Sequence, residues 1–333
     1  MNAMLMTAPG GLEVLKLVTV PVPQVSNPKQ LLVRVHAAGV NPVDTKIRKQ
    51  HFFYPSNLPV TLGVEGAGVV EKVGAEVTRF GVGDEVYFFG NGLGADPGSY
   101  AEYTLIEEHY AARKPTKLTM IEAAALPVVL ITAWEALVDR IALDSGEQIL
   151  IHAGAGGVGH IAVQLAVARG ARVAATVSGD EKAQFVRSLG AELTIDYRQQ
   201  DFVEETLRWT HGRGADVVLD TVGGPTFCKS FEALRMYGRM VTLLSTACEL
   251  ADVNKARLRN LTIGLVQMTA PLYLGNVEAR CAQTRILENC GALLDQGKLK
   301  VSVSSVLPLR DAATAHRMIE AGHTVGKVVL RMN

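Results

Sequence analysis

Apolar positions in the first 120 residues come in short runs broken by Gly and Pro, at 3–7, 15–20, 31–37, 68–73, 85–89 and 100–105. Runs of that length and spacing predict short strands closing into a barrel-like β unit, with 43–50 as its one helical turn. From about residue 121 the period lengthens, and single apolar runs at 148–152, 172–177, 193–195, 216–219, 239–244 and 261–266 alternate with helix-length segments. In 158–169, Val158, Ile161, Leu165 and Ala166 share one face and Gly170 follows as a natural stop. This alternation predicts an α/β unit built on a doubly wound parallel sheet. Beyond Pro271 the pattern gives a helix at 277–294, an extended stretch at 299–308, a helix at 310–321 and a strand at 327–331. Lying about 60 residues past the sheet, that strand is expected to rejoin the N-terminal unit.

A length of 333 residues suits two domains, and a composition 48% hydrophobic and 20% charged is that of a globular chain. Lys+Arg and Asp+Glu are equal at 33 each, which excludes the electrostatic footprint of a general nucleic-acid or anionic-membrane binder. The longest apolar stretch, 123–134, is interrupted by Pro127 and falls short of the ~20 residues a spanning helix needs. The N-terminus carries no secretion pattern, so a cytoplasmic location is expected. The four cysteines (Cys228, Cys248, Cys281 and Cys290) form no C-x-x-C pair and read as reduced packing residues.

One motif carries strong chemistry. The apolar run from Gln148 leads into Gly154, Ala155, Gly156, Gly157, Val158 and Gly159, a G-x-G-x-x-G turn between a strand and an amphipathic helix. The first glycine allows the tight turn, the second lets backbone N–H groups approach a pyrophosphate, and the third lets helix and strand pack closely. Which dinucleotide it takes is decided at the end of the next strand. Ser178 occupies the expected strand end, Lys182 stands in the following helical turn, and Tyr197 follows the third strand; together they favour the 2′-phosphate of NADPH. If Asp180 ended the strand instead, a carboxylate would meet a ribose 2′-OH and NADH would be the partner. Val222 and Leu244–Ser245 follow the fourth and fifth strands on the ligand-binding side of the sheet.

These residues resemble the medium-chain dehydrogenase/reductases and, among them, the zinc-free quinone oxidoreductases of the zeta-crystallin type. The likeness runs over nearly the whole chain, through Gly39-Val-Asn-Pro-Val-Asp-Thr-Lys-Ile-Arg48, Gly63-Val-Glu-Gly-Ala-Gly-Val-Val70, Val82-Gly-Asp-Glu-Val86, Gly98-Ser-Tyr-Ala-Glu-Tyr103, Ala123-Ala-Ala-Leu-Pro127, Thr132-Ala-Trp134 and the glycine turn. It implies a GroES-like β-barrel domain from 1–125 and 270–333, a Rossmann domain at 126–269 between them, and a cofactor cleft at their junction. It further implies a homo-oligomer, dimer or tetramer. Asn41 would sit near the nicotinamide ribose and Thr132 near the cofactor.

The zinc-dependent alcohol dehydrogenases look similar in outline, but the ligands differ. Asn41 stands at their first cysteine and Val64 at their histidine; Glu65 remains, and no cysteine precedes position 228. No metal is therefore expected. Without a Lewis acid the chemistry left is hydride transfer to a quinone or conjugated carbonyl, a small-molecule substrate whose anion needs hydrogen-bond donors and a proton. Lys46 stands where many relatives have a tyrosine, and Arg48, His51 and Tyr54 lie close by; each is a candidate, as is water. Met268, Leu272 and Tyr273 are candidates for an apolar substrate wall, or for core or interface. Two alternatives remain: a zinc-free alcohol or aldehyde oxidoreductase, and an NADPH-binding module without turnover.

Overall fold

The computed structural model describes residues 1–49, 58–92, 97–244 and 247–332. Eight strands come first: β1 (Asn2–Met6), β2 (Leu15–Thr19), β3 (Gln30–Val40), β4 (Val60–Thr61), β5 (Glu65–Val73), β6 (Glu85–Phe89), β7 (Tyr103–Glu107) and β8 (Ala111–Arg113). Helix α1 (Pro42–Arg48) follows β3, and α2 (Met120–Ala124) and α3 (Pro127–Trp134) follow β8. Six strands then alternate with helices: β9 (Gln148–Ile151), α4 (Gly157–Ala168), β10 (Arg172–Val177), α5 (Asp180–Ser188), β11 (Leu193–Asp196), α6 (Phe202–Trp209), β12 (Ala215–Asp220), α7 (Gly224–Lys229), β13 (Leu234–Thr242), α8 (Leu250–Leu258) and β14 (Thr262–Leu265). The chain closes with α9 (Ala270–Tyr273), α10 (Val277–Asp295), β15 (Val303–Pro308), α11 (Ala312–Ala321) and β16 (Lys327–Arg331).

Two compact units result, Met1–Val128 with Thr269–Asn333, and Val129–Met268. In the first, a seven-stranded sheet runs β15-β16-β3-β5-β6-β8, with β7 also on β3, and a small sheet runs β2-β1-β4. Strand β3 is its axis, because Leu31, Val33, Val35 and Ala37 alternate into the core while the opposite face is largely covered as well. The closing strand β16 lies antiparallel on β3, pairing Val328 with Val40. Strand β7 starts three residues later than the apolar run at 100–105 suggests. Tyr100 and Ala101 are held by β1 instead, through Met4 N to Tyr100 O at 2.8 Å and an Ala3–Ala101 bridge.

The second unit is a parallel sheet in the order β11-β10-β9-β12-β13-β14, the doubly wound arrangement expected of the alternating pattern. Leu150, Ala174, Val218 and Met240 build one side of its core against Phe227 and Phe231. Strand β14 is an edge: its inner side pairs β13, and no strand among the described residues covers the other.

The reading of four reduced cysteines is corrected here. Cys228 and Cys248 form a disulfide, which their distance in sequence hides but the adjacency of β12 and β13 makes possible, with Cα atoms 5.7 Å apart. Cys281 and Cys290 are free, the second buried. Among the described residues no helix is long and apolar enough to cross a membrane.

Candidate functional site

The glycine turn leaves β9 through His152 and Ala153, and it is Ala153, at φ 50°, that takes the left-handed conformation. Gly154 is needed for a different reason than the expected tight turn: a Cβ there would meet the Ala175 methyl at 2.7 Å. At Gly159 a Cβ would come within 2.2 Å of the Ala153 carbonyl oxygen, so the third glycine does set helix against strand. Gly156 is the open position. It is the N-cap of α4 with no side-chain cap, and its Cβ would meet only the Ala153 oxygen, at 3.2 Å. The helix N-terminus is thus bare backbone with room before it, which fits a pyrophosphate.

Thr176 braces the turn. Its Oγ1 accepts from Ala153 N at 2.9 Å, its carbonyl accepts from Gly154 N at 2.9 Å, and its hydroxyl lies 3.3 Å from His152 Nδ1. His152 Nε2 pairs with Ser230 Oγ at 2.8 Å, and burial lowers this imidazole to about 4 against the pull of the Asp220 carboxylate. A neutral histidine therefore joins the end of β9 to the segment after α7. No motif announces it, since a histidine ending an apolar run reads as core.

Strand β10 ends at Val177, so Ser178 does occupy the strand end, while Asp180 opens α5 exposed to solvent. Lys182 is half-buried in the first turn of α5. Tyr197 reaches the same strand end through its N–H, 3.2 Å from Val177 O, with its side chain about half exposed. Beside it opens a cavity of about 580 Å³, lined among others by His152, Thr176, Tyr197, Arg198, Val222 and Lys229. Arg198 adds a cation to this wall that no sequence motif marks. Asp220 holds the wall by accepting from Val222 N at 3.0 Å and Gly223 N at 2.9 Å while its other oxygen accepts from Thr242 Oγ1 at 2.7 Å. Gly223, at φ 75°, lies 3.1 Å from the Leu244 side chain by the Cβ it lacks, which brings the Val222 and Leu244 segments together. Thr132 is buried in α3. Ser245, like His51 and Tyr54, lies outside the described residues.

In the other unit, α1 is capped by Asn41, whose N–H donates to Asp44 Oδ2 at 2.8 Å. Asn41 Nδ2 donates to Glu65 Oε1 at 2.7 Å, and the Lys327 ammonium donates to the same oxygen at 2.8 Å and also to Asn41 Oδ1. Glu65 Oε2 accepts from Val128 N at 2.7 Å. Both polar ends of the Asn41 side chain are engaged and the residue is buried, which anchors the start of α1 to β5 and β16. Glu65, the surviving ligand-type residue, is matched by an ammonium, and Val64 is buried and apolar.

Arg48 is 1% exposed, and its guanidinium bonds Gly10 O at 3.1 Å, His316 Nδ1 at 3.4 Å and Glu320 at 2.5 Å, so it ties α1 to α11 and is buried where a residue lining the mouth was expected. Lys46, two residues earlier, is half-buried, and desolvation lowers its ammonium pKa. Asp44 is fully buried; desolvation raises its carboxyl to about 7, against the Asn41 N–H, with Glu65 adding to the rise and Lys327 opposing it. Met268 is buried, while Tyr273 on α9 is exposed.

Known proteins align with this architecture. The alcohol dehydrogenase GroES-like domain matches residues 27–116 and the zinc-binding dehydrogenase family matches 189–330. A quinone oxidoreductase of Pseudomonas aeruginosa is 34% identical over 309 residues, spanning 92% of this chain and 93% of its own. An NADPH-dependent alkenal/one oxidoreductase of Arabidopsis thaliana is 35% identical over 96% of this chain and 77% of its own. The crystal structure of Escherichia coli quinone oxidoreductase complexed with NADPH superposes with a TM-score of 0.87 at 31% identity, covering 99% of this chain and 100% of that one. Similarity of this extent at both chain ends and through the parallel sheet places the chain in the medium-chain dehydrogenase/reductase superfamily, within its quinone oxidoreductase branch.

Proposed function

We propose that this protein is an NADPH-dependent reductase that passes hydride to a quinone or an α,β-unsaturated carbonyl without a metal. The observation that carries the reaction class is the Glu65–Lys327 pair: an ammonium occupies the carboxylate that a Lewis-acid site would need. The relatives named quinone oxidoreductase and NADPH-dependent alkenal/one oxidoreductase support the same substrate class.

NADPH supplies the hydride when bound. The bare N-terminus of α4 at Gly156 to Gly159 would receive the pyrophosphate, and Ser178, Lys182 and Tyr197, which follow β10 and β11, would hold the 2′-phosphate. Ala155, Gly157 and Val158 contribute backbone to that turn, and Val222, Leu244 and Thr132 shape the remaining cofactor surface. Lys46, with its lowered pKa, donates a hydrogen bond and then a proton toward the developing oxyanion.

The assembly is a homodimer through the open edge of β14, where Ile263 is 42% and Leu265 69% exposed. A Leu265→Lys variant should elute and scatter light as a monomer, and an unchanged mass would remove β14 from the interface.

The deciding experiment follows NADPH absorbance with a panel of quinones, enones, aldehydes and alcohols, with and without chelator. Turnover of quinones or enones that survives chelator is expected. Turnover confined to aldehydes or alcohols would support the carbonyl-alcohol alternative, and saturable NADPH binding with no turnover would leave a binding module.

A further inference from the structure

We infer that Cys228 and Cys248 are a reversible oxidation site whose state sets the affinity of the cavity beside Tyr197; the coupling rests on the proposed NADPH reading of that cavity. Both residues belong to the unit Val129–Met268. Cys228 sits on α7 between Thr226 and Lys229, and both of those neighbours line the cavity. Helix α7 is only six residues long and starts from two consecutive glycines with positive φ, 75° at Gly223 and 55° at Gly224. Its N-terminal end is therefore hung on the most permissive backbone available. The restraint comes from the other end.

There, the disulfide ties Cys228 to the chain leaving β13. Lys229 reaches Asp201 at 2.5 Å, both of them lining the cavity, and Ser230 reaches His152. The disulfide is the covalent member of this set. With it formed, the wall carrying Thr226 and Lys229 is held in one position; with it open, α7 keeps only the packing of Phe227 and Phe231 and weaker polar contacts.

The two sulfurs are also unequal in a way that suits stepwise oxidation. Cys248 is half-buried and Cys228 is 6% exposed. A peroxide meets Cys248 first: its thiol gives up a proton, the thiolate takes one oxygen, and the displaced hydroxide takes up that proton, giving a sulfenic acid and one water from hydrogen peroxide. Cys228 sulfur then attacks that sulfur, the S–S bond forms, and the hydroxyl leaves with the Cys228 proton as a second water. Overall two thiols lose two electrons and two protons, and one peroxide becomes two waters. A small dithiol returns the pair by exchange, becoming a disulfide itself.

The test uses the whole protein. After full reduction and removal of reductant, thiols alkylated in denaturant should number four per chain; after hydrogen peroxide they should number two, with a Cys228–Cys248 linked peptide seen by mass spectrometry. NADPH titrated by fluorescence should bind the bridged form about three- to tenfold more tightly than the reduced form. Cys248→Ser should bind like the reduced form under both treatments, while Cys281→Ser should keep the full response. Four thiols before and after peroxide would overturn the site, and equal affinities for bridged and reduced protein would overturn the coupling. If NADPH bound neither form, the cofactor reading would fall and the coupling with it, while the thiol count would still decide the pair.

Discussion

The Lys327 ammonium lies 2.8 Å from the Glu65 carboxylate, and both side chains are almost wholly out of water, at 3% and 0% exposure. Lys327 comes from the last strand and Glu65 from the first residue of β5, so the pair joins the two ends of the chain within one sheet. Truncating one partner strands a buried charge. Lys327→Met should cost about 3–5 kcal/mol in urea unfolding, and adding Glu65→Gln to it should restore most of that loss. A single variant as stable as the parent would mean that the pair contributes nothing.

The glycine turn separates binding from folding. A Cβ at Gly156 meets only one backbone oxygen, at 3.2 Å, and a Gly156→Val side chain would occupy the space before α4. Its NADPH affinity should collapse while its melting temperature stays close to the parent's. Gly159→Ala drives a methyl to within 2.2 Å of the Ala153 oxygen, so it should lose stability first. Calorimetry alongside NADPH titration of the two variants distinguishes them.

Cofactor choice rests on the end of β10. A charge-assisted hydrogen bond is worth about 1.5–3 kcal/mol, so Lys182→Ala should weaken NADPH about ten- to a hundredfold and leave NADH nearly unchanged. Asp180 is exposed at the start of α5, and Asp180→Ala should alter neither affinity much. A parent enzyme that prefers NADH would overturn the assignment before any variant is made.

Asp44 makes stability depend on pH in an unusual direction for a carboxylate. Its folded pKa is raised from 3.8 to about 7, so the folded chain retains a proton that the unfolded chain has released. Its contribution is therefore greatest at low pH and is lost as pH rises from about 4 through about 7. Asp44→Asn keeps an acceptor for the Asn41 N–H and cannot ionise. Relative to the parent, it should gain stability between pH 5 and pH 8 in urea titrations, and a parallel pair of pH curves would show that Asp44 is already ionised at pH 5.

The parallel sheet and the nucleotide turn were legible in the sequence because both are local. An apolar run of four to six residues, a glycine triplet and an amphipathic helix in succession leave one way to bury the apolar face and one free helix N-terminus, whatever the rest of the chain does. The strand end at Val177 and the place of Ser178 were legible for the same reason. Long-range partners were not. Arg48 reads as a mouth-lining cation until His316 and Glu320 on α11 take its guanidinium. The partners of the Asn41 amide, Lys327 and Glu65, stand 286 and 24 residues away. Cys228 and Cys248 read as separate thiols until β12 and β13 lie side by side. In each case burial decides the role: a polar group removed from water must find partners within the fold, and those partners lie tens to hundreds of residues away, where neither period nor spacing records them.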